Sequence, residues 1–116
     1  MSQLKSVSDG SVRTVFFTAT RILDELTIRS IGEELFAVLE KSEERNILLD
    51  FRAVQFMSSS ALGTLIRFSK RCKEFKAHLK LCGISPQIFQ VFKITGLDKV
   101  FEIHKDQQEA LAAFAS

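Results

Sequence analysis

The chain contains few residues of the types that build metal centres, disulfide scaffolds or hydrogen-bonding aromatic sites. Its 116 residues include two cysteines, two histidines and one proline, with neither tryptophan nor tyrosine. Cys72 and Cys82 lack the spacing of a CxxC motif, and His78 and His104 lack the spacing of metal ligands. We therefore expect two buried, unreactive thiols, no metal and no other cofactor.

Blocks of like charge and long hydrophobic segments are missing as well. The 16 basic and 14 acidic residues are spread along the chain and give a net charge of +2, which does not favour nucleic acid as a partner. No apolar run reaches the roughly 18 residues of a membrane span, and the first residues lack the pattern of an export signal. We therefore expect a cytoplasmic protein without membrane insertion.

The residues that are present suffice for one hydrophobic core. Hydrophobic residues make up 46% of the chain, and they include eleven phenylalanines, whose rings need no hydrogen-bond partner. A chain of this length without repeats or low-complexity linkers predicts a single domain over residues 1–116.

The strand signals predict a sheet that begins with a hairpin. Strands over residues 4–7 and 12–17 flank Ser8-Asp9-Gly10-Ser11, where Asp-Gly favours a tight antiparallel turn. The nearly continuous apolar run 46–51 predicts a central strand covered on both faces. Shorter strands are predicted over residues 78–82 and 100–103.

Four helices are predicted to alternate with the later strands. The first begins near Thr27, with Thr27 or Asp24 as its cap, and the second begins near Ser59 or Ser60. The third and fourth helices begin after two further cap residues, Ser85 and Asp106. Because strands and helices alternate after the hairpin, we predict an α/β fold with a mostly parallel sheet.

The row Ser58-Ser59-Ser60 is the one place where polar chemistry is concentrated. It lies where the central strand's segment gives way to the second helix, and helix N-termini carry unpaired N–H groups and partial positive charge. One serine suffices to cap the helix. A free hydroxyl would be a phosphoacceptor, and a phosphoryl group would add about −1.5 to −2 charges. From the residues alone, the phosphorylation switch and the inert cap both remain open.

Enzymatic use of these serines is disfavoured. No glycine lies two positions before any of them, so the GxSxG pattern of a nucleophile elbow is missing. Gly63 stands alone, and Lys70 is two turns away, unlike the glycines and lysine of a phosphate-binding loop. No acid/base pair can be assembled from the motif, so we expect a binding module and no turnover.

Residues Leu48 to Gly63 resemble the central motif of the STAS family, the bacterial anti-sigma-factor antagonists and their relatives. The resemblance extends to residues 81–86, to Phe92 and to Thr95-Gly96-Leu97, with the family's spacing kept between these segments. It therefore covers nearly the whole chain. It implies a STAS-like single domain.

The resemblance implies a partner switch. In the family, the serine that follows an Asp is phosphorylated by a kinase that is itself the anti-sigma factor, and phosphorylation ends binding. Carried over, Ser59 is the acceptor, with Ser58 and Ser60 as secondary candidates. Ser58 stands where the family has Asp, and Ala61 replaces a Gly. The implied partners are a serine-kinase anti-sigma factor and a phosphatase.

The implied contact surface comprises the loop at Asp24, the serine row with Ala61, and the exposed side of the second helix at Thr64 and Arg67. For Thr64 and Arg67, ordinary solvent exposure is the alternative explanation. The third helix has apolar residues on more than one face, and most of them are expected in the core: Ile88, Phe89, Val91, Phe92 and Ile94. Phe89 is either core or a contact for weak homodimerisation, so a monomer or a weak homodimer is expected.

Two other functions stay open. A STAS subunit held permanently in a stress-signalling complex or a lipid transporter would use the serines as unmodified interface residues, and Ser58 in place of Asp keeps this alternative in view. A domain that binds a small anion or nucleotide at the helix start is the second alternative.

Overall fold

The computed structural model describes residues 3–115 and contains a five-stranded sheet with helices on both faces. The strands are β1 Leu4–Asp9, β2 Val12–Phe17, β3 Arg21–Ile22, β4 Asn46–Asp50, β5 Phe56–Met57, β6 His78–Cys82 and β7 Glu102–His104. The helices are α1 Glu25–Lys41, α2 Ser59–Glu74, α3 Pro86–Thr95 and α4 Gln107–Ala115, with a 3-10 turn at Leu97–Lys99. Within residues 3–115, no helix is long and apolar enough to cross a membrane.

The hairpin and the mostly parallel sheet are confirmed. Strands β1 and β2 pair antiparallel from Leu4 opposite Phe17 to Asp9 opposite Val12, so β1 is two residues longer than predicted. Gly10 takes the left-handed conformation at the turn, with φ +64°. The main sheet has the order β1-β2-β4-β6-β7, and all its pairs after the hairpin are parallel.

The central strand is β4, as its apolar sequence predicted. Ile47 and Leu49 face the larger core, under α1, α2 and α3, and Leu48 faces the smaller core under α4. Cys72 and Cys82 are buried in these cores, and desolvation raises the pKa of each thiol to about 12. The expectation of two buried thiols is confirmed.

Side-chain caps fix the helix starts close to the predicted positions. Asp24 caps α1 by accepting a hydrogen bond from the Thr27 backbone N–H at 3.0 Å, which decides between the two predicted caps. Ser85 caps α3, and Asp106 accepts from the Glu109 N–H at 2.9 Å in the first turn of α4. The starts of these helices therefore follow from local sequence.

In the C-terminal half, the structure shifts the bounds of the predicted last strand and shows fewer buried residues in α3 than expected. The last strand is Glu102–His104 because residues 97–101 continue a helical turn, in which the Val100 and Phe101 N–H groups both donate to the Leu97 carbonyl at 3.0 Å. In α3, Ile94 lies on the solvent side and is 81% exposed, whereas Phe92 is buried and Phe89 half-buried. A single buried stripe is enough to attach this short helix.

Candidate functional site

A second, two-stranded sheet brings the Asp24 loop beside the serine row. Strands β3 and β5 pair parallel, with Ile22 opposite Met57. The Ser58 backbone N–H donates to the Ile22 carbonyl at 3.0 Å and continues this pairing. Asp24 and Ser59 each lie two residues beyond these paired strands, so the starts of α1 and α2 are neighbours. Sequence reasoning missed this sheet, because strands of two residues carry no periodicity.

Ser58 is the cap of α2. Its backbone is extended, with φ −85° and ψ 166°, and its hydroxyl oxygen accepts a hydrogen bond from the Ala61 N–H at 3.3 Å. The side chain is half-buried. The capping role that the sequence left open among three serines is thus filled by Ser58.

Ser59 and Ser60 occupy the first two positions of α2 and are exposed. Within residues 3–115, neither hydroxyl has a hydrogen-bond partner. Both hydroxyls are accessible to solvent, and in this part of the chain neither is needed for a hydrogen bond that stabilises the fold. The site therefore presents two hydroxyls that a partner or a modifying enzyme can reach.

Asp24 adds a carboxylate to this surface. Its side chain is exposed, and hydrogen bonds from the Thr27 side chain and backbone lower its pKa below the ordinary value for aspartate. An ionised carboxylate therefore lies beside the serine row at neutral pH. The pairing of β3 with β5 thus places the Asp24 loop beside the serine row, and its use as a contact surface stays a prediction.

Two residues predicted for the contact surface lie inside the protein. Ala61 is buried, and Thr64 is only 5% exposed because α2 packs there against Gly32 of α1. A Cβ on Gly32 would lie 3.3 Å from the Thr64 methyl carbon. Arg67 is exposed, as expected. Helical spacing alone did not place Thr64, since the buried stripe of α2 is wider than its apolar residues indicate.

An open groove runs between the N-terminal halves of α1 and α2. It encloses about 410 Å³ and is lined by Glu25, Ile28, Arg29, Ser60, Gly63, Thr64 and Arg67. The Arg67 guanidinium folds back along α2 and donates to the Thr64 hydroxyl at 3.0 Å. Ser59 is not among the lining residues, so the two free serines face different surroundings.

Exposed apolar side chains lie in the segments next to the serine row and the Asp24 cap, and sequence reasoning missed them. Leu26, in the first turn of α1, is 76% exposed, and Leu23 and Phe56 are also exposed. The Arg21 guanidinium lies 5.0 Å from the centre of the Phe56 ring. Aromatic side chains and arginine are enriched in protein-binding surfaces. The detectable signal was Leu26, an apolar residue outside the buried stripe of its helix.

Comparison with known proteins gives a consistent family. The model of the STAS domain matches residues 5–110. BtrV of Bordetella bronchiseptica is 27% identical over 93 residues, covering 80% of this chain and 79% of BtrV. The anti-sigma-B factor antagonist of Listeria monocytogenes is 30% identical over 87 residues, 75% of each chain. A solved anti-sigma-factor antagonist (STAS) domain protein from Planctomyces limnophilus superposes with a TM-score of 0.85 at 29% identity, covering 97% of this chain and 98% of that one.

Proposed function

Because the chain belongs to the STAS domain family, we propose that it is an anti-sigma factor antagonist that is switched by phosphorylation of Ser59. In this proposal, the unmodified protein binds a serine-kinase anti-sigma factor and so releases the sigma factor. The observation that carries it is the free, exposed Ser59 hydroxyl at the start of α2, next to a Ser58 that already serves as the cap. Relatives named as anti-sigma factor antagonists support the same function.

The exposed apolar side chains around the serines support a protein as the partner. Leu23, Leu26 and Phe56 offer anchors that a partner surface can bury. Asp24 and the Ser59 hydroxyl supply polar groups beside them. Ala61 and Thr64 support the surface from beneath, while Arg67 lies at its edge.

Phosphorylation would end binding through charge and solvation. A phosphoserine at position 59 carries about −1.5 to −2 charges at neutral pH, and it would have to lose water to enter a packed contact. The ionised Asp24 would stand beside it and add like charge. Both effects oppose association, so the modified protein would dissociate.

Ser58 is compatible with this role although the family has Asp there. A serine hydroxyl and an aspartate carboxylate are both good N-caps, since each accepts a hydrogen bond from the first turn. The backbone that presents Ser59 is therefore kept. The lost negative charge bears on which kinase recognises the site.

The chain would supply the acceptor hydroxyl while its partner supplies the catalysis. The kinase would use ATP, and a phosphatase would restore the unmodified serine. We propose that this exchange takes place in the cytoplasm. No turnover by this chain itself is required.

Titration against the purified serine-kinase anti-sigma factor of the same organism tests the proposal. We expect Ser59→Ala to bind within about threefold of the wild type, and Ser59→Glu to bind at least about 100-fold more weakly, a difference of about 2.7 kcal/mol. Ser6→Glu, which adds the same charge on exposed β1, is the control and should bind normally. Equal affinities of all the variants would remove Ser59 from the switch.

Mass spectrometry of the protein from its native cells separates the switch from a permanent assembly. Phosphate on Ser59 under some growth conditions is expected. A chain that is always unmodified and always recovered in one large complex would contradict switching and identify a permanent subunit.

A further inference from the structure

We propose that the groove between α1 and α2 holds a phosphoryl group on Ser60 through Arg67 and Arg29. The proposal concerns a serine other than the switch residue Ser59, and it does not depend on which partner the protein binds. It assigns the groove to a covalently attached phosphate monoester.

The geometry begins with the face of α2 that lines the groove. Gly63 and Thr64 lie one helical turn after Ser60, and Arg67 lies one turn after Thr64. The Thr64 hydroxyl donates to the Ser60 carbonyl at 3.4 Å and accepts from the Arg67 guanidinium at 3.0 Å. The Arg67 side chain is exposed, but its guanidinium is directed back along the helix toward the turn that carries Ser60.

Gly63 keeps the space between Ser60 and Arg67 open. A Cβ at position 63 would lie 3.7 Å from the nearer guanidinium nitrogen of Arg67. A larger side chain there would extend into the room that a phosphate on Ser60 needs. The lack of a side chain thus leaves a path between the hydroxyl and the arginine.

The charges that face this space favour a dianion. Arg29 of α1 lines the opposite wall, and within residues 3–115 neither Arg29 nor Arg67 forms an ion pair. Glu25 supplies the one carboxylate among the lining residues. With two guanidiniums and one carboxylate, the groove carries a net positive charge. An arginine guanidinium can also donate two parallel hydrogen bonds to two oxygens of one phosphate.

The modification itself is an ordinary phosphoryl transfer from a nucleoside triphosphate by a protein kinase. The Ser60 oxygen forms a bond to the γ-phosphorus, the bond between that phosphorus and the bridging oxygen breaks, and the nucleoside diphosphate leaves. The hydroxyl proton passes to a base of the kinase. No oxidant or further co-reactant is needed.

The two free serines then differ in what a phosphate on them does. On Ser59, which lies outside the groove, the dianion would stand on the contact surface of the proposed function. On Ser60 it is partly neutralised and connects α1 to α2. The groove therefore distinguishes two phosphorylated forms of the same serine row.

Phosphorus NMR of the full chain, with phosphoserine installed at position 60 or at position 59, tests the assignment. The second pKa of an unperturbed phosphoserine is about 6. We expect phosphoserine 60 to titrate at about 5.5 or below, because nearby guanidiniums favour the dianion, and phosphoserine 59 to titrate closer to 6. Arg67→Gln and Arg29→Gln should each move the value for position 60 upward without changing that for position 59.

Circular dichroism establishes that each variant is folded, and Lys70→Gln, also on exposed α2, is the matched charge control. Equal pKa values at the two positions would overturn the proposal. A lowered value that persists in both arginine variants would overturn it too. Either outcome leaves the Ser59 switch untouched, since Ser59 itself lies outside the groove.

Discussion

At the scale of single residues, three identical side chains in a row have three different environments. Ser58 is tied to the Ala61 N–H, Ser59 projects from the helix start, and Ser60 lines the groove. The differences come from the 100° rotation per residue of a helix and from the neighbouring α1. The position of each serine on the helix therefore decides whether its hydroxyl caps α2, projects into solvent or lines the groove.

Removal of the Ser58 cap should destabilise the protein without loss of the fold. Ser58→Ala leaves the Ala61 N–H without its partner, and we expect a loss of about 1 kcal/mol in the free energy of unfolding. Ser58→Asp, which restores the family's residue, should be close to the wild type because a carboxylate caps equally well. Urea unfolding followed by circular dichroism measures both. A Ser58→Ala protein as stable as the wild type would show that Ser58 does not stabilise the helix start.

At the scale of elements, α3 shows how a short helix is held. Ile88 and Phe92 are buried in the larger core, whereas Val91 and Ile94 lie on the solvent side. The hydrophobic pattern of this helix has apolar residues on more than one face, so the sequence alone did not identify the buried one. Packing of Phe92 against Phe101, with ring centres 5.9 Å apart, selects it.

Two substitutions in α3 should therefore have unequal effects. Phe92→Ala removes a fully buried ring and should cost about 3–5 kcal/mol of unfolding free energy. Ile94→Ser changes an exposed side chain and should change it by less than about 0.5 kcal/mol. Chemical denaturation of the two variants provides the comparison. A large loss from Ile94→Ser would contradict the solvent-facing position of that residue.

At the scale of the whole molecule, Glu44 connects distant parts of the chain. Its carboxylate accepts a hydrogen bond from the Ser8 hydroxyl in β1. It accepts a second from the hydroxyl of Ser42, the C-cap of α1, at 2.7 Å. Arg13 of β2 pairs with it at 3.2 Å. These hydrogen bonds, the one from Ser8 foremost, lower the pKa of Glu44 to about 2. These contacts join the β1–β2 hairpin to the C-terminus of α1 at the end of the sheet where the hairpin turns.

The low pKa of Glu44 predicts a dependence of stability on pH. Because the folded-state pKa lies below the ordinary 4.5, the contribution of Glu44 is fully present above about pH 4.5 and is lost as the pH falls toward about 2. Melting temperatures between pH 6 and pH 2 should show Glu44→Gln less stable than the wild type at pH 6, with the gap closing in that window. Glu43→Gln, a change at an exposed neighbour, is the control. A gap that stays constant with pH would contradict the assignment.

Local sequence determined the hairpin, the caps at Ser85 and Asp106, the buried β4 and the position of the serine row, and it narrowed the cap of α1 to Thr27 or Asp24. Each of these follows from periodicity, turn chemistry or capping, which act within a few residues. The motif also carried the family resemblance that the STAS domain match confirms.

Only the tertiary structure decided what surrounds the serines. The β3–β5 pairing that sets Asp24 beside Ser59 joins segments more than thirty residues apart, and the burial of Thr64 depends on the absence of a side chain at Gly32 in another helix. Such contacts leave no mark in the local pattern, because they arise only when two segments meet. The sequence could place a hydroxyl at a helix start, but the packing of α1 against α2 distinguished the surroundings of Ser59 from those of Ser60.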